Sequence, residues 1–221
     1  MKTILLGILV MGLACSAQAA DKAQLNDRIH SFTAKFTAME QNPATRVPAN
    51  ELARAQGIIL LDRTRGAFFL GFHSGNGVAL ARDQDGHWSP AGFVSSVGVS
   101  LGPQIGGTKD FFVVLLTSPA AVETLRQPVM DFGAQASETG GSEHAGAEAN
   151  LESRPSVVIY SQRNGVYAGA SIKGGSVKTD ADANAVYYDR PVSMDDILFA
   201  RRVAPSQAEA DLIGKIDEFS R

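Results

Sequence analysis

Gly98-Val99-Ser100-Leu101-Gly102 has the G-x-S-x-G spacing of a nucleophile elbow, the sharpest catalytic pattern in this chain. That chemistry needs a strand, a strained turn carrying the serine, and a helix whose N-terminus helps build the oxyanion site. Here Pro103-Gln104-Ile105-Gly106-Gly107 follows, with no helix start, and the only later histidine, His144, stands in a Gly/Ala-rich stretch. A glycine-rich strand and turn accounts better for the pattern. A serine esterase-like hydrolase built on Ser100 therefore ranks last among the functions this chain could carry.

Metal chemistry fares no better. Asp180-x-Asp182-x-Asn184 begins like a calcium loop, but Ala185 holds the position that needs glycine and Pro191 stands where a bidentate Glu belongs. The segment reads as a helix or turn surface. Asp83 and Asp85 before Gly86 read as hairpin-turn residues. His30, His73, His87 and His144 lack metal-ligand spacing, and the chain has neither G-x-G-x-x-G nor a phosphate loop. The expectation is a non-enzymatic protein with no catalytic residue, no metal and no cofactor.

The elements that would position any site come in a simple order. Residues 22–40 read as an amphipathic helix, with Leu25, Ile29, Phe32, Phe36 and Met39 at helical spacing, and Asn42-Pro43 stops it. A short helix follows around Ala49–Gln56. From Gly57 the period changes: GIILL, GAFFLGF and GVALAR read as strands joined by tight turns at Gly75-Asn76-Gly77 and Asp83-Gln84-Asp85-Gly86. Phe93–Ser100 and Asp110–Thr117 are further strands, and Ser118-Pro119 caps a short helix. Residues 134–154 are small, polar and aperiodic, the pattern of a loop or a poorly packed strand. PSVVIY and VYAGASI form a hairpin across Asn164-Gly165, and Ser206 with Glu209 makes a capping box for a last helix carrying Leu212, Ile213, Ile216 and Phe219. The class is α+β: a largely antiparallel, glycine-rich sheet or barrel-like core flanked by N- and C-terminal helices, without βαβ rhythm.

The N-terminus reads as an export signal. Lys2 precedes the uncharged apolar run Ile4–Ala14, and Ala17-Gln18-Ala19 gives a small-x-small cleavage site, so residues 1–20 are expected to be a signal peptide and 21–221 one domain. The product is expected in the periplasm. The alternative is a lipoprotein anchored through Cys15, although Leu13 is one position out of place for that signal. Loss of the leader leaves no cysteine, hence no disulfide, and 19 basic against 23 acidic residues, a net charge of −4. Such a balance argues against nucleic acid as a partner but permits a local basic patch facing anionic lipid.

The central motifs form an ordered set. Gly86-His87-Trp88-Ser89-Pro90-Ala91 is followed by Gly98-Val99-Ser100-Leu101-Gly102-Pro103-Gln104-Ile105-Gly106 and Asp110. Then come Tyr160-Ser161-Gln162-Arg163-Asn164-Gly165-Val166-Tyr167-Ala168-Gly169-Ala170-Ser171 and Asn184-Ala185-Val186-Tyr187-Tyr188. In this order, from about Val47 to Leu198, the chain resembles the SYLF domain family, whose bacterial members are commonly exported. It departs from the family at Gly140-Gly141-Ser142-Glu143, where a Gly-Pro-x-Gly turn is usual. The resemblance implies a lipid-binding domain. Eukaryotic members bind phosphoinositides and some bind actin, partners not expected in a bacterial envelope. The motif residues themselves, Trp88 and Tyr160 among them, suit the core better than a ligand.

The resemblance also places membrane contact on the N-terminal amphipathic helix, which matches residues 22–40. Arg28, Phe32, Lys35 and Phe36 are then the candidate lipid-binding residues, with the aromatic pair entering the headgroup boundary of a phospholipid surface, preferably anionic. The competing reading packs the same stripe onto the sheet. It is favoured by the charge balance, since Lys22, Arg28 and Lys35 are opposed by Asp27 and Glu40. Besides lipid, an envelope protein could be the partner, for instance through 134–154.

Overall fold

Ile58-Ile59-Leu60-Leu61 is apolar at four successive positions, which a strand sustains when both its faces are covered. The computed structural model describes residues 20–68, 70–101, 108–130, 156–162, 165–168 and 176–221, and in it all four side chains are 0% exposed. They lie in β1 (Gly57–Phe68), which is followed by β2 (Leu70–Ala81), β3 (Gly92–Leu101) and β4 (Thr108–Leu116). Shorter strands complete the set: β5 (Val129–Met130), β6 (Val157–Ser161), β7 (Gly165–Ala168) and β8 (Ser176–Thr179). These eight form one sheet in the order β5-β8-β3-β2-β1-β4-β6-β7, antiparallel at every described pairing.

Helices cover both faces. Before the sheet come α1 (Lys22–Glu40), N-capped by the Asp21 carboxylate on the Gln24 amide, and α2 (Ala49–Arg54). After β4 comes α3 (Pro119–Glu123), which Ser118 caps as its sequence requires. After β8 come α4 (Ala181–Tyr187), a π-helical turn at Asp195–Phe199, and α5 (Gln207–Phe219). The capping box of α5 is complete, with Ser206 accepting from the Glu209 amide and Glu209 from the Ser206 amide. Helices α1, α2, α4 and α5 bury their apolar sides against Ile58, Leu60, Val78, Leu80 and Val113. The alternate positions Ile59, Leu61, Ala79, Val114 and Leu116 meet α3 and the π-helical turn on the other face. The α+β class with terminal helices around an antiparallel sheet is thus the observed architecture. Trp88 and Tyr160 are core residues, 6% and 3% exposed.

Two local expectations are corrected. Gly75-Asn76-Gly77 is no turn: β2 runs straight through it, with Gly75 opposite Arg63 and Gly77 opposite Leu61, and the strands pair as far as Phe68 with Leu70. The glycines are there because β2 presses on β1. A Cβ at Gly75 would lie 2.5 Å from the Asp62 carbonyl oxygen, and one at Gly77 would lie 2.6 Å from that of Leu60. Asn184, read as surface, is 0% exposed. Its amide accepts from the Phe93 N–H at 2.7 Å and donates to the Phe93 carbonyl at 3.2 Å, pinning α4 to β3. By contrast, Asp83–His87 is a turn as expected, closed by the Asp83 N–H on the His87 carbonyl and with Gly86 at φ +87°. The β6–β7 hairpin is present too. Residues 134–154, His144 and the Gly140-Gly141-Ser142-Glu143 departure lie outside the described residues, as does the signal region 1–19.

Candidate functional site

Helix α1 turns Leu25, Ile29, Phe32, Phe36 and Met39 to one side, and that side is buried. Phe32 is 1% exposed and stacks on Phe111 of β4, with ring centroids 6.4 Å apart. Phe36 is 0% exposed and meets Phe219 of α5 edge-on at 6.0 Å. The two aromatic candidates for lipid insertion are therefore placed inside the protein, because the sheet and α5 offer them more apolar area than any exposed position does. The charged pair is placed differently. Arg28 and Lys35, seven residues apart, share one flank of α1 and both are half-buried. Lys35 reaches the Asp62 carboxylate of β1. Arg28 has no carboxylate within ion-pair distance among the described residues. The structure thus brings together the basic half of the candidate site and removes the aromatic half from the surface.

Beneath that flank the sheet changes character. Along β1 the α1 face reads Ile58, Leu60, then Asp62, Thr64; along β2 it reads Leu80, Val78, then Asn76, Ser74. On β4 the same two rows carry Phe111 and Lys109. The result is a pit of about 260 Å³ beside Lys35, bordered also by Gln162. Arg63 and Asp110, between these positions on their strands, alternate to the opposite face, where Arg63 is 5% exposed.

A larger groove, of about 710 Å³, opens at the other flank of α1. Lys22, Arg190 and Arg202 edge it, Tyr187 and Tyr188 form its inner wall, and the fully buried Glu209 stands behind them. Two of its three cations are paired within the protein, and Arg190 donates to the Arg202 carbonyl. Lys22 pairs with Asp189 and Arg202 with Asp196, while the Glu209 carboxylate accepts from the Ala91 N–H, the Ser206 N–H and the Tyr188 hydroxyl. Burial, with Glu209 beside it, pushes the Tyr188 hydroxyl far above its ordinary range; burial also raises Tyr187. Both phenols stay protonated and serve as structural donors. Asn184 and Glu209 are the connecting residues that sequence reasoning missed. The capping-box motif did single out Glu209, but nothing local signals its second bond, 118 residues away, to Ala91.

The remaining sequence candidates fall elsewhere. Ser100 sits within β3 opposite Gly71, where an elbow would require the strand to have ended, and the next described element is strand β4. Asp83, Asp85 and His87 bring ligand-type atoms within 4.8 Å of one another on the exposed turn. However, the His87 N–H, followed by Arg201, holds the Asp83 carboxyl below the usual carboxylate range, so that group already has its partners.

Comparison with known proteins shows the family. Residues 97–219, just over half of the chain, match the family model Ysc84, described as Las17-binding protein actin regulator. SH3 domain-containing YSC84-like protein 1 of Homo sapiens is 28% identical over 181 residues, covering 80% of this chain and 53% of that protein. Protein YSC84 of Saccharomyces cerevisiae is 28% identical over 168 residues, 74% of this chain and 36% of its own length. LAS seventeen-binding protein 3 of the same species is 28% identical over 160 residues, 70% of this chain and 35% of its own. The chain thus spans about half or less of these curated relatives. No solved structure matches it significantly. With the family model covering its second half and the SYLF motifs in order along its length, the chain belongs to the Ysc84 (SYLF domain) family.

Proposed function

We propose that this domain is a non-enzymatic binding module of the bacterial cell envelope, delivered to the periplasm by residues 1–20, whose ligand is the surface of an anionic phospholipid membrane. The observation that supports it best is the flank of α1 on which Arg28 and Lys35 stand together while the chain as a whole is acidic. Because Phe32 and Phe36 are held in the core, the contact is electrostatic rather than insertive. Each basic side chain near a charged surface contributes about 1 kcal/mol and is screened by salt, so the binding is weak and reversible. Anchoring through an acylated Cys15 would add a permanent tether to the same arrangement.

Co-sedimentation with vesicles tests the reading. The mature domain is expected to pellet with phosphatidylglycerol-containing vesicles at low salt and not with phosphatidylcholine alone. Arg28→Glu with Lys35→Glu should lower the bound fraction at least about fivefold. Equal binding to both vesicle types, or an unaffected double variant, overturns it. A second reading is favoured by the relatives' descriptions, which name Las17 binding. In that case a protein of the envelope takes the place of lipid, and the domain forms a saturable complex indifferent to vesicles.

A further inference from the structure

The pit beside Lys35 has no role in the core. A sheet face lying under an amphipathic helix is ordinarily apolar to its end, and here it is apolar for two rows and then polar for two rows on β1 and β2, joined on β4 by Lys109. Row by row the residues are Asn76, Asp62 and Phe111, then Ser74, Thr64 and Lys109, with Gln162 at the side and Lys35 reaching in from α1. All of these but Phe111 are polar, and they are weighted towards donors: two ammonium groups, two hydroxyls and two carboxamides, against the Asp62 carboxylate, with Arg63 and Asp110 also bordering the space from the strand positions between them. At about 260 Å³ the space is below the roughly 300–1,000 Å³ that encloses a drug-sized molecule, so it suits a small group and not an acyl chain.

We infer that this pit is a binding site for a phosphate group, free or as a monoester, held between Lys109 and Lys35, with Asp62 acting as the internal counter-ion that occupies Lys35 while the pit is empty. Several acceptor oxygens on one centre match donors arranged around the space, which the two oxygens of a carboxylate would leave partly unused. A neutral polyol would leave the second ammonium without a counter-charge. A metal cation would meet more cationic than anionic side chains, Lys35, Lys109 and Arg63 against Asp62 and Asp110. The site extends the lipid-binding reading, since Lys35 belongs to both the flank and the pit, but it turns on Lys109 and Asp62, which the flank does not use.

The experiment exploits that separation. Wild type, Lys109→Gln and Asp62→Asn are titrated with inorganic phosphate and with glycerol 3-phosphate, followed by calorimetry and phosphorus NMR. The same proteins are sedimented with phosphatidylcholine vesicles with and without phosphatidic acid. Lys109→Gln is expected to weaken phosphate binding about fivefold or more, and Asp62→Asn to strengthen it about threefold because the competing carboxylate is gone. Thermal midpoints of both variants should stay near that of the wild type. Effects in the soluble arms identify a free phosphate or phosphate ester as the ligand; effects confined to phosphatidic acid vesicles identify a lipid headgroup. Wild-type behaviour of both variants in every arm, or weaker binding by Asp62→Asn, overturns the site. Vesicle binding that depends on Arg28 but not on Lys109 or Asp62 would leave the membrane reading standing and remove this one.

Discussion

Ile58 and Leu60 of β1 are sealed under α1, whereas Asp62 and Thr64, next on the same face of the same strand, border an open pit. On the closed side a charge must be neutralised or pay for its desolvation; on the open side water and a salt bridge suffice. Glu40 and Asp62 show the contrast. Burial pushes the Glu40 carboxyl up to about 7, although the Val47 N–H and the Arg46 charge both favour its ionised form. Asp62, half-buried, simply pairs with Lys35. One helix therefore has two different sides: its apolar stripe holds the fold, and its flank carries Arg28 and Lys35 outside the core.

The largest effect that could break this division is on the closed side. Phe36→Ala removes a ring that is 0% exposed and should cost about 3–5 kcal/mol in denaturant unfolding. A loss below about 1 kcal/mol would mean that α1 is not docked as described.

Glu40 gives the intermediate effect, through pH. Its folded value of about 7 lies above that of an unfolded glutamate, so the folded state holds the proton more tightly. Stability should then be greatest on the acid side of this window. It should fall as pH rises from about 4.5 to about 7, by roughly 1–3 kcal/mol, and level off above. In Glu40→Gln that slope should vanish, as read from urea midpoints across the range. The absence of a slope in the wild type would place Glu40 in water, and a slope of the opposite sign would mean that the Val47 N–H and Arg46 outweigh burial.

The smallest effect belongs to the open side. Asn76→Ala, at an exposed position of the pit, should shift stability by no more than about 0.5 kcal/mol in the same measurement. A loss several times larger would make the pit part of the core.

Sequence carried the local features well. Turns and caps depend on a few adjacent residues, so Asp83–Gly86, Ser118-Pro119 and the Ser206/Glu209 box could be read without knowing the fold. The stripe on α1 was equally plain, but which medium it faces is decided by Phe111 and Phe219, remote in sequence. Gly75 and Gly77 carry a turn's composition, and only the neighbouring strand's backbone, pressed against them, shows why they are glycine. The pit was illegible for the same reason: Thr64, Ser74 and Lys109 are ordinary polar residues until strand register sets them side by side.

The contact of Phe36 with Phe219, together with the reach of Glu209 to Ala91, ties the first helix and the middle of the chain to the last one. A polypeptide emerging from its N-terminus cannot seal the α1 side of its core until α5 has been made. Until α5 docks, that side of the core stays open, so its closure waits on the meeting of elements far apart in the sequence.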